Sequence, residues 1–338
     1  MSALPYTNSV SQAGMFSFLE MIKPDLEAVE EKMHSEIGSD VRTISDLTGR
    51  LINAGGKRLR PAMVSLAARA TGSVVDRGRI ATVGAAVEFV HMATLVHDDV
   101  VDDTSHRRGM PTANSIYGNG AAVLSGDYVL ARAMRLLAID GDLRIIRTVS
   151  EITIAMSEGE VMEIGATGCS ELSIPEYFEI LRKKTAVFVE GCCRVGAMLA
   201  SASSEVEEAL GNYGYNLGMA FQIADDLLDY TGNPAVTGKP RGSDLKDGRA
   251  TLPLLIALQD SPPAEHSVLL AAFNNSSLDE RNVDAVCNLL EGHNAFQRTM
   301  LLAEEFVECA HKSLSVLPSS SAKDCFNLLT DYVIHRNM

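Results

Sequence analysis

Apolar residues recur at helical spacing along most of the chain, and prolines are rare within these stretches. No proline lies between Pro111 and Pro175, or between Pro175 and Pro234. Because a proline inside a helix costs about 3 kcal/mol, stretches of this kind suit long helices. The pattern from Glu205 to Tyr230 predicts one continuous helix. Repeated alternation of strands and helices is absent, so the chain is predicted to be all-α.

A few local signals place the starts and interruptions of these helices. The pattern Ser-x-x-Glu at residues 173–176, and again at residues 204–207, predicts a capping box where a helix begins. Pro61 marks another helix start. Two segments break the helical pattern, residues 104–111 and residues 231–251, and the second is rich in Gly and Pro. Such a long loop is usually functional or disordered, and its position beside an acidic cluster favours a functional role.

No shift in composition divides the chain into several domains. Residues 1–15 are predicted to be a flexible tail. Residues 16–338 are predicted to form a single large antiparallel helical bundle around a central cavity. With 338 residues, 46% of them hydrophobic, the chain can bury a large core.

Charge and targeting signals narrow the range of partners. The formal charge of −15 argues against nucleic acid or an anionic membrane surface as the main partner. No stretch reaches the roughly 18 uncharged apolar residues of a transmembrane helix, and the best candidate, residues 81–96, contains Glu88 and His91. No signal or transit peptide is visible, and the cysteines show no CxxC spacing, as expected for reduced thiols. The expected location is cytoplasmic.

Two acidic repeats, DDVVD from Asp98 and DDLLD from Asp225, end two of the long apolar stretches. Residues four positions apart on a helix share one face, with Cβ atoms about 5–6 Å apart, so each repeat crowds like charges together. Mg²⁺ binds carboxylate oxygens, water and substrate phosphate and would relieve this repulsion. Solvated helix ends could explain one repeat, but two copies beside basic segments favour a metal site that binds a diphosphate. The predicted metal ligands are Asp98, Asp99, Asp102, Asp225, Asp226 and Asp229.

Basic residues accompany the acidic repeats. They are Lys57, Arg58 and Arg60 in the segment GGKRLRP, Arg107 and Arg108 after the first repeat, and Lys239 after the second. The arginine fork can bind two phosphate oxygens at once, and lysine supplies a point charge. In so acidic a chain, these groups predict two anion sites. One would be bridged by metal, and the other held directly by lysine and arginine.

Together these motifs resemble the trans-isoprenyl diphosphate synthases of the polyprenyl synthetase family. The segments that carry the resemblance are GGKRLRP from Gly55, LVHDDVVDDTSHRRGMPT from Leu95, KKT from Lys183, FQIADDLLD from Phe221, and Gly238-Lys239 with Asp244-Leu245 beyond. They span nearly the whole chain, and details such as HDDVVD and GEVMEI are most similar to the octaprenyl and solanesyl branch. The resemblance therefore implies the isoprenoid synthase fold, a homodimer and a prenyltransferase activity.

The resemblance also implies a role for each matched position. The six aspartates would bind about three Mg²⁺ ions that hold an allylic diphosphate. Further ligands of that diphosphate would be Arg107, Lys184 and Lys239. Ligands of isopentenyl diphosphate would be Lys57, Arg60, His91 and Arg108. Thr185 and Gln222 would place oxygens beside the developing carbocation. Two positions depart from the common pattern: Arg249 replaces a lysine, and Glu163 stands where glutamine is frequent, so its role is left open.

The implied reaction is the head-to-tail condensation of isopentenyl diphosphate with an allylic diphosphate, giving a medium- or long-chain all-trans product. A helical turn rises about 5.4 Å, close to one extended prenyl unit. No aromatic residue blocks the first three turns before Asp98 on its own face. The predicted chain-length residues are Ala93, Thr94, Val90 and Met134. A twenty-carbon geranylgeranyl product is the alternative.

Three other interpretations are weaker. A terpene cyclase also uses DDxxD on an all-α fold, but its second motif is an Asn/Ser/Glu pattern, and this chain has DDLLD there. A regulatory subunit of a heteromeric synthase usually lacks intact acidic motifs. A purely structural acidic bundle would have no use for the basic residues Lys57, Arg60, Arg108 and Lys239.

Overall fold

The structure is a computed structural model, and it describes residues 12–53, 55–107, 109–232 and 240–335. Helices make up nearly all of the regular structure in these ranges, which confirms the all-α prediction. Two short strands, β1 (His106–Arg107) and β2 (Met110–Pro111), pair antiparallel just after the first acidic repeat. They form the break in the helical pattern that the sequence predicted there.

The described helices fall into two groups along the chain. The first group is α1 (Gln12–Glu36), α2 (Arg42–Asn53), α3 (Leu59–Ala70), α4 (Arg77–Val101), α5 (Ala113–Tyr117), α6 (Asn119–Asp140) and α7 (Leu143–Ala166). The second group is α8 (Ile174–Leu181), a π-helical turn (Arg182–Ala186), α9 (Val187–Leu199), α10 (Ser204–Thr231), α11 (Ser243–Lys246), α12 (Leu252–Asp260), α13 (Pro263–Ala272), α14 (Glu280–Gly292), α15 (Ala295–Ser313), a 3₁₀ turn (Leu314–Val316) and α16 (Ser321–His335).

Two long helices, α4 and α10, lie at the centre of the bundle. Helix α4 packs against α1, α3, α6 and α9, and α10 packs against α9, α15 and α16. Their large side chains, Phe89 on α4 and Tyr213 and Tyr230 on α10, are buried. Each of these helices carries one acidic repeat at its C-terminal end. The packing of the core therefore fixes where both repeats lie.

Two glycines on α10 allow an unusually close helix contact. A Cβ atom on Gly214 would lie 2.6 Å from the carbonyl oxygen of Val189, and one on Gly218 would lie 2.6 Å from the Cα of Ala186. Real Cβ atoms do not come so close to backbone, so only glycine fits. Because these glycines stand four residues apart, they bring one side of α10 against α9 and the π-helical turn. The second repeat lies further along the same helix.

The predicted helix boundaries are confirmed in part. The long helix is confirmed, since α10 contains all of Glu205–Tyr230, and Ser173 forms the predicted capping box at the start of α8. The second predicted capping box is wrong by one residue, because the side chain of Ser203 caps α10 by accepting from the backbone N–H of Val206. Helix α3 begins at Leu59, two residues before Pro61.

The predicted N-terminal tail and the long loop at residues 231–251 are only partly described. The structure starts at residue 12, where α1 already begins, so residues 1–11 of the predicted tail lie outside the described residues. Residues 233–239 of the long loop also lie outside them. The part of that loop that follows contains the short helix α11.

One described helix, α4, is long and apolar enough to cross a membrane by length and composition alone. In the bundle, 72% of its most apolar window is buried against other helices. A core helix of a globular protein passes the same test, and the packing of α4 on its neighbours accounts for its apolar character.

Candidate active site

The first acidic repeat lies at the end of α4 and is braced by the hairpin that follows. Asp99 is buried, and its Oδ1 accepts a hydrogen bond from Nε of Arg107 at 2.7 Å. The side-chain amide of Asn114 donates to the backbone oxygen of Asp99 at 3.0 Å. Asp98 is half-buried and Asp102 exposed. Arg107, predicted to hold the allylic diphosphate, is thus ion-paired with a predicted metal ligand.

The pKa of Asp98 is raised from 3.8 to about 7. Burial is the main cause, and the nearby carboxylate of Glu160 on α7 adds to it. The positive charges of Lys184 and Arg107 lower this pKa without restoring the usual value. The end of α4 therefore faces α7 and the π-helical turn. The positive charges there do not offset the effect of burial on the Asp98 carboxylate.

The second acidic repeat is held differently. Asp226 is buried on α10, where its Oδ1 accepts from the side-chain amide of Gln222 at 2.9 Å and its Oδ2 accepts from the hydroxyl of Tyr177 at 2.7 Å. Burial raises the pKa of Asp226 to about 7, although both hydrogen bonds act to lower it. Asp225 beside it is exposed.

The third aspartate of this repeat holds the following loop in place. Asp229 accepts hydrogen bonds from the backbone N–H groups of Ser243 at 3.2 Å and Asp244 at 3.1 Å, at the start of α11. Asp244 is thereby brought next to the repeat, and its pKa is raised to about 8 by burial and by the charges of Asp226 and Asp229. Arg249 lies 3.7 Å from the Asp244 carboxylate.

Two glutamates on α7 lie between the repeats. Nζ of Lys184 is 3.2 Å from the carboxylate of Glu160 and also forms an ion pair with Glu163. Helix α7 can approach the π-helical turn because Gly159 has no side chain, and a Cβ there would lie 2.8 Å from the backbone nitrogen of Lys184. Glu163, whose role was left open, is thus the partner of a predicted diphosphate ligand.

The predicted carbocation-facing residues are brought together. The hydroxyl of Thr185, in the π-helical turn, donates to Oε1 of Gln222 on α10 at 3.0 Å. Since Gln222 also donates to Asp226, a hydrogen-bonded chain runs from Thr185 through Gln222 to the second repeat. π-Helical segments occur frequently at functional sites, and this one sets the direction of both Lys184 and Thr185.

A cavity of about 530 Å³ opens between α7, α8, α10 and the α11 loop. Its lining includes five predicted site residues: Lys184, Gln222, Asp225, Asp226 and Asp229. It also includes four polar or charged residues to which the sequence assigned no role: Glu163, Tyr177, Asp244 and Arg249. Within the part of the chain that the structure describes, no three Asp, Glu, His or Cys side chains converge closely enough to hold one metal ion.

The basic segment before α3 does not line this cavity and forms a second group. The guanidinium of Arg60 lies over the ring of Phe188, 4.9 Å from its centre, and the ring of His91 meets the same Phe188 ring edge-on at 6.3 Å. Lys57 is exposed nearby in the chain. Arg58, which the sequence grouped with these anion-binding residues, is instead buried in ion pairs with Glu30 and Glu88.

The predicted chain-length residues lie in the core beneath the first repeat. Val90 and Ala93 on α4 are buried, and the hydroxyl of Thr94 bonds to the backbone oxygen of His91 at 2.9 Å. Met134 is partly buried on α6, which packs along α4. Two other predicted site residues, Arg108 and Lys239, lie outside the described residues.

Some functional candidates left only a faint signal in the sequence. Asp244 could have been found, because it follows the second repeat within the loop already considered functional. Tyr177 could not, because a tyrosine at a core position of α8 has the same pattern as an ordinary packing residue. Glu160 lies on α7 in the segment GEVMEI, which was part of the family resemblance but gave this glutamate no role.

An all-α bundle in which two central helices end in DDxxD repeats, close to a lysine and to glutamates of a neighbouring helix, defines the isoprenoid synthase class. The sequence comparisons give the family. The chain matches the polyprenyl synthetase family model over residues 41–290 and belongs to that family.

Individual relatives agree with this assignment. The octaprenyl diphosphate synthase of Escherichia coli (strain K12) is 33% identical over 318 residues, covering 94% of this chain and 98% of the relative. The nonaprenyl diphosphate synthase of Mycobacterium tuberculosis is 33% identical over 320 residues, covering 95% of each. A crystal structure of a Caulobacter crescentus polyprenyl synthase, complexed with calcium and isoprenyl diphosphate, has a TM-score of 0.88 and 35% identity, covering 96% of this chain and 98% of that one.

Proposed function

We propose that this chain is a Mg²⁺-dependent all-trans polyprenyl diphosphate synthase. It joins isopentenyl diphosphate head-to-tail to an allylic diphosphate and gives a medium- or long-chain product. The observation that carries this proposal is that Lys184 lies near Asp98 of the first repeat and lines one cavity with the aspartates of the second, while Arg60 and His91 form another basic group at Phe188. The relatives named above as octaprenyl and nonaprenyl synthases favour this product class over a geranylgeranyl product.

The chemistry of the acidic repeats fits a hard divalent cation. Their donors are carboxylate oxygens, and burial, which disfavours the charged form, raises the pKa values of Asp98 and Asp226 to about 7. A cation that binds oxygen ligands favours that charged form. We propose Mg²⁺, about three ions per site, with substrate phosphate oxygens completing their coordination. When bound, Mg²⁺ acts as a Lewis acid on the leaving diphosphate.

The cations nearest to the repeats are engaged with carboxylates. Lys184 pairs with Glu160 and Glu163, and Arg107 pairs with Asp99. An allylic diphosphate would have to compete with these carboxylates for Lys184 and Arg107. We propose that Lys184 and Arg107, together with Lys239, would hold the diphosphate when Mg²⁺ is bound to the repeats.

The second anion site is proposed at the start of α3. Lys57, Arg60, His91 and Arg108 would hold the diphosphate of isopentenyl diphosphate. The contacts of Arg60 and His91 with the Phe188 ring support a shared role, because two elements distant in sequence place cationic and imidazole groups at one ring. Direct Lys and Arg contacts suit a diphosphate that is not a leaving group.

The proposed roles of Thr185 and Gln222 are to face the developing allylic carbocation. Their oxygens are oriented by the hydrogen bond between them and by the contact of Gln222 with Asp226. Attack by the double bond of isopentenyl diphosphate, followed by loss of a proton, completes the condensation. No side chain is assigned as base, and the released diphosphate is the proposed acceptor. Catalysis then consists mainly of positioning and electrostatic preorganisation.

Product length is proposed to be set along α4 beneath Asp98. The positions that would line the growing tail are Ala93, Thr94 and Val90, with Met134 on the neighbouring α6. Replacing Ala93 with Phe places an aromatic ring one turn below the first repeat and should shorten the product by several prenyl units, since each turn corresponds to about one unit. Mass spectrometry of the products measures this, and an unchanged length distribution would refute it.

A homodimer is proposed from an exposed apolar stripe on α7. Leu143, Ile154 and Val161 are 75%, 60% and 68% exposed. Their spacing of eleven and seven residues places them on one side of the helix, and Leu124 on α6 is 66% exposed. A second copy of the chain would cover this stripe, so Val161→Glu should convert a dimer to a monomer in light scattering. We propose that the enzyme acts in the cytoplasm.

One assay tests the proposed activity. The protein is incubated with Mg²⁺, isopentenyl diphosphate and a series of allylic primers, and the products are sized by mass spectrometry. Linear products longer than twenty carbons support the proposal. A product that stops at twenty carbons indicates the geranylgeranyl alternative, a cyclic hydrocarbon indicates a cyclase, and absence of turnover with every primer contradicts a catalytic role.

A further inference from the structure

The turn before α3 contains a buried arginine that takes no part in the chemistry proposed above. Arg58 is 8% exposed, and its φ of 46° and ψ of 40° lie in the left-handed region that side-chain-bearing residues rarely adopt. Its Nε and Nη2 donate to the carboxylate of Glu30 on α1. Nη2 also donates to the backbone oxygen of Ile52 on α2, and Nη1 donates to Oε1 of Glu88 on α4, both at 3.1 Å. One side chain thus joins three helices to the start of α3.

The contacts of Arg58 connect the segments that carry the proposed isopentenyl diphosphate ligands. Lys57 precedes Arg58 and Arg60 follows it by two residues. His91 lies three residues after Glu88 on α4, which places both side chains on the same face of that helix. The ion pair between Arg58 and Glu88 therefore joins the basic segment to the helix that carries His91.

The charges in this cluster make the connection strong. One guanidinium faces two carboxylates, and Glu88 is only 4% exposed. Among the described residues, no donor reaches Oε2 of Glu88, and the carboxylate receives the charge-assisted hydrogen bond of Arg58 at Oε1. Removal of one partner of a buried pair leaves an uncompensated charge, which is strongly unfavourable. A shift of α4, or of the turn before α3, would then expose the uncompensated charge to solvent and reduce this cost.

We propose that Arg58 is a positioning residue for isopentenyl diphosphate. Its ion pairs with Glu30 and Glu88 hold the left-handed turn and fix Lys57 and Arg60 relative to His91. Arg58 itself does not touch the substrate. This inference rests on the proposed function, because it assumes that these three residues bind isopentenyl diphosphate.

The chain offers a matched control between the same two helices, α1 and α3. Nε and Nη2 of Arg69 donate to the two carboxylate oxygens of Asp25, each at 2.6 Å, and Asp25 is fully buried. Arg69 lies nine residues after Arg60 on α3, about 14 Å further along the axis. Both arginines form a fork to a carboxylate of α1, but only Arg58 lies beside the proposed substrate ligands.

The test uses the full chain with Mg²⁺, an allylic primer and isopentenyl diphosphate, and compares Arg58→Lys, Glu88→Gln and Arg69→Lys. Lysine keeps the charge but loses the fork. We expect Arg58→Lys and Glu88→Gln to raise KM for isopentenyl diphosphate by about tenfold or more, and KM for the primer by less than about twofold. Arg69→Lys should lower the melting temperature and leave both KM values unchanged.

Two results would overturn the inference. The first is an Arg58→Lys variant that melts earlier but keeps the wild-type KM for isopentenyl diphosphate, as expected of a merely structural arginine. If that variant does not fold, Glu30→Gln gives the same comparison, because the Glu30 side chain is 37% exposed. The second result that would overturn the inference is a Glu30→Gln enzyme whose KM for isopentenyl diphosphate is unchanged. A wild-type chain that makes no prenyl product contradicts the proposed function instead.

Discussion

The ends of α4 and α10 carry the same DDxxD pattern, yet the buried aspartate of each repeat has a different kind of partner. Asp99 on α4 is paired with the charged Arg107. Asp226 on α10 accepts hydrogen bonds from the neutral groups of Gln222 and Tyr177. The α11 loop adds Asp244, a further carboxylate, next to the second repeat. Identical motifs thus differ in how much positive charge the protein itself supplies, and the second repeat depends more on added cations.

The largest expected effect follows from removing one carboxylate of either repeat. Asp98→Ala and Asp225→Ala should each reduce kcat by about a thousandfold or more, because positioning and charge stabilisation at one shared site supply most of the catalysis. Circular dichroism should show an unchanged helical content. If either variant retains near-wild-type activity, the two repeats do not form one site.

The next effect concerns the stability of the metal-free protein. Burial raises the pKa values of Asp98 and Asp226 to about 7 and that of Asp244 to about 8, from 3.8. Above about pH 4 the folded state therefore binds more protons than the unfolded chain. Its free energy of unfolding should fall as pH rises towards 7, because ionisation costs more in the folded state than in the unfolded chain.

Urea unfolding in EDTA at several pH values measures this slope, and added Mg²⁺ should reduce it by stabilising the ionised carboxylates. Asp244→Asn should flatten the slope. Asp25, whose pKa is lowered by Arg69 and Ser65 against the effect of burial, acts in the opposite direction but only at pH values below its ordinary pKa. If the free energy of unfolding of the metal-free protein is constant or rises between about pH 5 and 7, the pKa values of these carboxyl groups are not raised in the folded state.

A smaller effect on catalysis is expected when the partner of either buried aspartate, Asp99 or Asp226, is removed. Tyr177→Phe removes one hydrogen bond to Asp226, and Arg107→Gln removes the ion pair of Asp99. We expect Tyr177→Phe to lower kcat by about tenfold, corresponding to about 1.4 kcal/mol for one hydrogen bond to a charged group. Arg107→Gln should also raise KM for the allylic primer, because Arg107 is proposed to bind its diphosphate.

Tyr230→Phe is the matched control for Tyr177→Phe. The Tyr230 hydroxyl is also buried, at 3.1 Å from that of Thr251, but it does not contact an aspartate of the repeat. It should cost stability and leave kcat unchanged. Equal losses of kcat in the two tyrosine variants would mean that the hydrogen bond to Asp226 has no special role.

The smallest expected effect is on the free energy of unfolding and concerns the N-terminal caps of α4 and α10. Asp76 caps α4 by accepting from the backbone N–H of Arg79, and Ser203 caps α10. Ser203→Ala should lower the free energy of unfolding by about 1 kcal/mol, whereas Ser204→Ala should change it much less. Neither change should alter KM. A larger loss for Ser204→Ala would restore the capping box predicted at residues 204–207.

The sequence by itself determined the fold class, the long helix that ends in DDLLD and the residue types of a metal and diphosphate site. Helical periodicity and i,i+4 spacing are local properties, so they can be read from neighbouring residues. The same reasoning misplaced the cap of α10 by one residue, because adjacent serines at 203 and 204 offer equivalent side chains and only the backbone selects one of them.

Only the tertiary structure decided which charged groups meet. Arg58 and Arg60 stand two residues apart in GGKRLRP, but one is buried between Glu30 and Glu88 while the other faces Phe188. Tyr177 reaches Asp226 across 49 residues of chain. Partners this distant depend on how the helices pack, and that packing depends on close contacts such as those at Gly214 and Gly218, where a Cβ would lie 2.6 Å from neighbouring backbone. Burial then decides how much charge each aspartate lacks, which no local pattern encodes.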